Sequence, residues 1–285
     1  MRTNRADRTG QVCVRPRFWG SNFNRIIQLA NFFEMAAAEG KRLVLPRRNW
    51  GLWLETWFSI DELFEPLEII TRTECKEMEK LMVVSAHYYH PFNQGVPNLD
   101  RLLPKESIRN EAEQAVHDML RYNLSNATAF VSVHRRSMDV PNATEECLAR
   151  SKQYESFCFG NKITDEERAA YCSVAYSDVM TDLQKRDAES GTNFSSLPVV
   201  LFTDHQSPDL DDTFPYIDDH DFQVQSWMIT QSVVHYGNPL SSMDYVLYHW
   251  RKGKEVRPTS CYNGYDSIVR PQLAKLEETT RIQIA

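Results

Sequence analysis

Short apolar runs alternate with amphipathic stretches along this chain, and their order predicts an α/β protein. Gln11–Arg15 alternates as a strand does. In Asn24–Glu39, Ile26, Ala30, Phe33 and Ala37 fall at i, i+4, i+7 and i+11, which predicts a helix with one apolar face. Gly40, Lys41 and Arg42 suit the end of that helix. Leu43–Leu45 is a strand that Pro46 should stop. Strand, turn, helix and strand in that order make a βαβ unit. Val83–Ser85 reads as a further strand, and Ala86–Leu103 as a proline-bearing loop. Glu111–Leu124 reads as a helix with Ala112, Ala115, Val116, Met119, Leu120 and Leu124 inward.

The polar stretch Asn123–Thr128 reads as a joint, which divides the chain into domains 1–125 and 126–285. The second opens with a strand, Ala129–His134. A helix over Thr164–Lys185 follows, with Thr164 and Glu167 as a capping box and Cys172, Ala175, Tyr176, Val179 and Leu183 as its stripe. Leu197–Phe202 is a continuous apolar run, as strands covered on both faces are. Trp227–Ser232 reads as helix, Val233–Tyr236 as strand and Leu240–Trp250 as a last amphipathic helix.

Three strands of this second half end in polar or small residues, each leading into a loop or helix. The first runs into His134, Arg135, Arg136 and Asp139, and the carboxyl ends of parallel strands are where open α/β sheets bind ligands. Guanidinium groups suit phosphate oxygens because their planar fork makes short charge-assisted bonds. The second strand ends at Thr203 and Asp204, and an acid there can bond a ribose or a base edge or merely shape a turn. The third leads to Ser241 and Ser242 at a helix start, where free N–H groups and hydroxyls suit an anion, although plain N-capping needs no ligand. In the first half Gly20 suits a tight turn, with Asn22 and Asn24 as helix starters. Trp50, Trp53 and Trp57 are core residues or the wall of a sugar cleft, with core packing the commoner fate.

Composition narrows the classes. A net charge of −7 over 285 residues argues against a general nucleic-acid coat. No apolar window reaches 18 residues, so no membrane span is expected, and MRTNRADRTGQ has no apolar core of a signal peptide. His87 and His90 lack a third ligand, and the six cysteines show no metal spacing, so no metal site is expected. Cys147 and Cys158 flank a loop, where a disulfide or two buried thiols would fit. Sequons at Asn123, Asn126, Asn142 and Asn193 matter only in a lumenal or secreted protein. The chain is expected in the Golgi or ER lumen if a targeting segment precedes it, and otherwise in the cytoplasm.

These residues resemble the GT-B fucosyltransferases, the superfamily of α1,2-, α1,6- and protein-O-fucosyltransferases. RFWGSNFNRIIQLANFFEMAAAEGKRLVLP is similar to that family's opening unit, with Gly20, Asn22 and Arg25 in register, and SIDELFE to the segment after it. His134, Arg136 and Asp139 fit its His-x-Arg-x-x-Asp hallmark. The strand ending at Asp204 resembles its Ser/Thr-Asp strand, and GNPLSSMDYVLYHWR its Asn-x-x-Ser-Ser-Phe-Ser region. Trp19, Phe23, Ser137 and Met138 depart from the pattern.

The resemblance implies two Rossmann-like domains with parallel sheets facing across a cleft, the first on the acceptor side and the second on the donor side. It implies an inverting transfer of fucose from GDP-fucose to a glycan or protein hydroxyl, with no metal and no cofactor besides that donor substrate. Arg136 would hold the β-phosphate, and Asp139 would act as a base or orient Arg136. His134, Arg135, Asp204, Ser241, Ser242, Asn22 and Gly20 would complete the donor site. The alternatives are an inactive glycan- or nucleotide-binding relative, or a transferase using another nucleotide sugar.

Overall fold

The computed structural model describes residues 11–16, 22–38, 42–46, 53–63, 67–70, 81–84, 99, 101–135, 174–203, 214–238, 241–251 and 255–257. The chain separates into two compact units, Met1–Glu106 and Ser107–Ala285. The sequence places this division at 125/126. The helix before that joint is instead grouped with the second unit, and the joint itself is a turn with Ser125 and Asn126 in the left-handed region.

The first unit holds a parallel sheet of β1 (Gln11–Pro16), β2 (Arg42–Pro46), β3 (Leu67–Ile70) and β4 (Leu81–Val84), in the order β3-β2-β1-β4. Helix α1 (Asn22–Ala38) joins β1 to β2. It begins two residues before the expected start, and its burial is not a stripe. Phe23, Ile26, Ile27, Leu29, Ala30, Phe32 and Phe33 are all buried, as are Asn24, Gln28 and Asn31. A helix covered on most sides loses the amphipathic period, so periodicity finds the helix but understates its burial. A short helical turn at 53–57 adds Trp53, Leu54, Trp57 and Phe58 to this core, with the Phe23 and Trp57 rings 5.4 Å apart edge to face.

The second unit starts with α2 (Glu106–Asp118), which begins five residues before its predicted start and runs into a wider turn at Met119–Asn123. Its sheet is parallel too: β5 (Val131–Arg135), β6 (Val199–Thr203), β7 (Val234–Tyr236) and β8 (Glu255–Arg257), in the order β6-β5-β7-β8. Helix α3 (Tyr176–Ser190) leads to β6, α4 (Phe222–Gln231) to β7 and α5 (Ser242–Trp250) to β8. Val131, Val133, Val179, Leu183, Val199, Leu201, Phe214 and Val234 form one apolar cluster.

The expected helix over Thr164–Lys185 needs correction. Thr164, Glu167 and Cys172 lie outside the described residues, but Ala175, placed in its stripe, is extended at φ −95 and ψ 154, and the Asp178 carboxylate accepts its N–H, so the described helix starts at Tyr176. It also runs on to Ser190, where Gly191 ends it at φ +68. Strands β3 and β8 are missed because four and three residues are too short for a period to show. Pro46 lies inside β2 rather than beyond it. The calls on Val140–Lys162, His87 and His90, Cys147 and Cys158 lie outside the described residues.

Candidate functional site

Both sheets have their first strand inside, with later strands of the chain on each side of it. In the second unit β6 pairs with one side of β5 and β7 with the other. The connections therefore part at the carboxyl ends of β5 and β7, the topological switch point where open sheets take ligands. His134 and Arg135 end β5, and the segment after β7 delivers Asn238, Ser241 and Ser242 to the start of α5.

Alternation along β5 sends its side chains two ways. Arg135 follows Val131 and Val133, and it is 1% exposed with its guanidinium 6.0 Å from the centre of the Phe214 ring. Ser132 and His134 share the other face. The structure therefore does not bring His134 and Arg135 together as one cationic cluster.

On the polar face the groups form a continuous chain. His134 Nδ1 lies 2.6 Å from Asp244 Oδ2, and His235 Nε2 lies 2.8 Å from Asp244 Oδ1. The backbone N–H of Asn238 donates to Oδ2 at 3.0 Å. His235 Nδ1 lies 2.9 Å from Ser132 Oγ, its register partner across the ladder, and Ser132 Oγ lies 2.7 Å from Ser232 Oγ. Arg251 Nη1 donates to Ser232 Oγ and to the Ile229 carbonyl, both at 2.7 Å. Asp244, His235, Ser132 and Ser232 have no exposed surface, and His134 keeps 7%.

Charge and donor inventory fix the protons along this chain. Burial pushes the Asp244 carboxyl up, but its electrostatic attraction to His134 and hydrogen bonds from both imidazoles outweigh it and hold the carboxyl down at about 2. Burial lowers His235 to about 4, against the opposing pull of Asp244, so its ring is neutral at pH 7. An anionic carboxylate only accepts, so His235 Nε2 and His134 Nδ1 carry hydrogens. His235 Nδ1 is then an acceptor and Ser132 must donate to it. Ser132 has spent its only proton, so Ser232 donates to Ser132. Arg251, lowered to about 10 by burial, remains a cation at the far end.

Ser241 is the N-cap of α5, its Oγ accepting the Met243 N–H at 3.2 Å. Ser241 and Ser242 are both buried. In the first unit the β1–α1 connection brings Asn22 to the helix start, where its Oδ1 accepts the Trp53 indole N–H at 2.9 Å. The Arg25 guanidinium lies 5.9 Å from the centre of the Trp53 ring, and both Trp53 and Trp57 are buried. Gly20, Arg136, Asp139 and Asp204 lie outside the described residues.

Sequence reasoning missed Asp244, His235 and Ser132. One signal was present: Ser241 and Asp244 have the spacing of a capping box. The acid does not use it that way, because Ser241 N donates to the Asn238 carbonyl while Asp244 reaches the Asn238 N–H and two histidines. No cluster of three His, Cys, Asp or Glu side chains able to hold a metal occurs among the described residues.

No family model matches the chain, and no curated protein matches it in sequence. Solved structures do match in fold. POFUT1, a protein O-fucosyltransferase, in complex with GDP-fucose superposes with a TM-score of 0.55 at 11% identity, over 87% of this chain and 97% of that one. POFUT1 in complex with GDP gives 0.52 at 12% identity, covering 87% and 97%. Its apo form gives 0.52 at 13% identity, covering 89% and 99%. This chain has a fucosyltransferase-like α/β fold.

Proposed function

We propose that this chain is a glycosyltransferase of the GT-B type that moves fucose from GDP-fucose to a hydroxyl of a glycan or protein, with inversion and without a metal. The observation that supports this best is the coincidence of fold and motif. The fold is similar to that of POFUT1, and the His134-x-Arg136-x-x-Asp139 motif begins within the end of β5, whose neighbour β7 leads to Ser241 and Ser242. The matched POFUT1 structures hold GDP-fucose or GDP.

In this reading the second unit takes the donor and the first the acceptor. The departing GDP gains negative charge as the glycosidic bond breaks, so preorganised donors at the diphosphate supply the main stabilisation. Arg136 and the start of α5 provide them, Asp204 meets the nucleoside, and Asp139 orients Arg136 or receives the acceptor proton. The protein would work in the lumen of the secretory pathway, a setting compatible with the exposed sequon asparagines Asn123, Asn126 and Asn193. No helix among the described residues is long and apolar enough to cross a membrane.

The test is GDP release from GDP-fucose over a panel of glycan and peptide acceptors, with EDTA present, for wild type and Arg136→Ala. Acceptor-dependent release that survives EDTA is expected, and the variant should lose on the order of 10²–10³ in kcat, the usual cost of one such donor. Ser137 and Met138, in place of the family's Arg-Gly, favour one rival, an inactive binding relative. Tight GDP-fucose binding with no release across the panel would select that rival. Absence of any GDP-fucose binding would rule out the donor.

A further inference from the structure

The His134 ring has two polar atoms, and the structure uses one. Nδ1 is committed to Asp244 at 2.6 Å, while Nε2 has no hydrogen bond among the described residues. The ring is 93% covered yet retains a small exposed edge at the carboxyl end of β5. Asp244 is itself immobilised by three donors from three places: β5, β7 and the Asn238 N–H before α5. In its neutral form an imidazole whose Nδ1–H is bound by a carboxylate presents a bare Nε2, which accepts a hydrogen bond and cannot give one. Such an atom repels phosphate oxygens and suits a hydroxyl.

Resting on the transferase reading above, we propose that Asp244 is a positioning residue that holds the Nδ1 proton of His134 and so aims Nε2 at a sugar hydroxyl. This moves His134 from the diphosphate to the sugar end of the site. The hydroxyl belongs either to the fucose of the donor or to the group that attacks it. In the second case Nε2 takes the hydroxyl proton as the new C–O bond forms, and GDP leaves with the electron pair of the old one.

Asp244→Asn tests the idea with little change of shape. The amide oxygen can still serve His235 Nε2–H, but the NH2 then faces His134 Nδ1 and the Asn238 N–H. His134 relieves part of that conflict by moving its proton to Nε2, which turns an acceptor into a donor. Long-range ¹⁵N–¹H correlation spectra of the histidine-labelled full chain at pH 7.5, with His134→Gln to assign its peaks, read the tautomer directly. Wild type should show protonated Nδ1 and bare Nε2, and Asp244→Asn the reverse.

Calorimetric affinities for GDP and GDP-fucose, and GDP release with water as acceptor, identify the hydroxyl. A loss of roughly 10-fold or more in GDP-fucose affinity, with GDP affinity unchanged, assigns the donor sugar. Unchanged affinities with release slowed about 10²-fold, the lower end for a lost acid–base group, assign the attacking hydroxyl. The proposal is overturned if the wild-type ring is protonated on Nε2, or if affinity and release both stay within twofold in Asp244→Asn. Should that variant fail to fold, the wild-type spectrum still decides. If wild type binds neither GDP nor GDP-fucose, the transferase reading falls, and the spectrum alone then tells whether Asp244 holds the Nδ1 proton.

Discussion

On one face of β5, Val131 and Val133 meet Val199, Leu201 and Val234 from the neighbouring strands and Val179 and Leu183 from α3. On the other, Ser132 and His134 meet His235, Asp244 and, through Ser232, Arg251. Both faces are buried to the same degree, but they are held together differently. The apolar face gains from every methyl removed from water and tolerates substitutions of similar volume. The polar face gains little net energy and has a high cost of failure, since each donor or acceptor left alone in the interior costs its full desolvation. The apolar face fixes where the sheet is; the polar face fixes which atom of His134 is presented.

The largest difference should come from cutting the centre of the polar chain. Asp244→Leu leaves two ring N–H groups and the Asn238 N–H facing a methyl group, and each buried donor left alone costs about 1–3 kcal/mol, so the total should reach about 3–5 kcal/mol. Urea denaturation at pH 7.5 should show that loss. Leu201→Ala on the other face should cost about 2–5 kcal/mol through transfer and cavity terms. The two similar numbers separate only in acid, where the Asp244 contribution is lost as pH falls from 3.8 towards 2 while the cost of Leu201→Ala stays constant. A loss below 1 kcal/mol for Asp244→Leu would show that the polar face is not held by its carboxylate.

Acid should act on histidines outside the apolar cluster. Burial lowers His235 and His249 to about 4 from an ordinary 6.5. Above pH 6.5 both states leave these rings neutral, and nothing is gained or lost. Between 6.5 and 4 the unfolded chain takes up protons that the folded chain refuses, so stability falls as pH falls, by roughly 3 kcal/mol for each ring. Asp244, held at about 2, contributes stability present above its ordinary 3.8 and lost as pH drops towards 2. Denaturant midpoints at pH 7, 5.5 and 4.5 should decline with a slope near two protons, and His249→Phe should reduce that slope by one. A flat profile between pH 7 and 4.5 would contradict the burial of both neutral rings.

The two faces also differed in how legible they were. Leu197–Phe202 and Ala129–His134 announce themselves as strands because continuous apolar runs reflect burial on both sides. Helix α4 starts five residues before the predicted Trp227, because Gln225, Ser226 and Thr230 are buried beside Val224 and Met228 and no stripe survives. The polar chain was illegible for a different reason. Ser132, His235 and Asp244 are far apart in sequence, and nothing local about a serine inside a strand says which histidine it faces. Only the parallel register of β5 with β7 sets Ser132 opposite His235. His134 stands out in the sequence through its motif, but its partner Asp244 does not, and in the proposed site that partner sets which ring nitrogen is free to bind.

The smallest effect tests the proton order itself. Ser132→Ala removes the one hydroxyl that must donate to His235 Nδ1, leaving a buried ring nitrogen and the Ser232 hydroxyl each short of a partner. The expected cost is about 1–3 kcal/mol, the penalty of unsatisfied buried groups. Ser232 has a second outlet, since its hydroxyl lies 2.9 Å from the Ile229 carbonyl and can turn there. The loss should therefore fall at the lower end of that range and be shared by only one group, His235. Ser132→Thr offers a control, because it keeps the hydroxyl on a residue suited to strands. If Ser132→Ala and Ser132→Thr destabilise equally, the serine is there for its small volume and the ordered proton chain is wrong. If only alanine costs stability, the order that runs from Arg251 to Asp244 is what fixes the tautomer of His235, with its Nε2–H on the carboxylate.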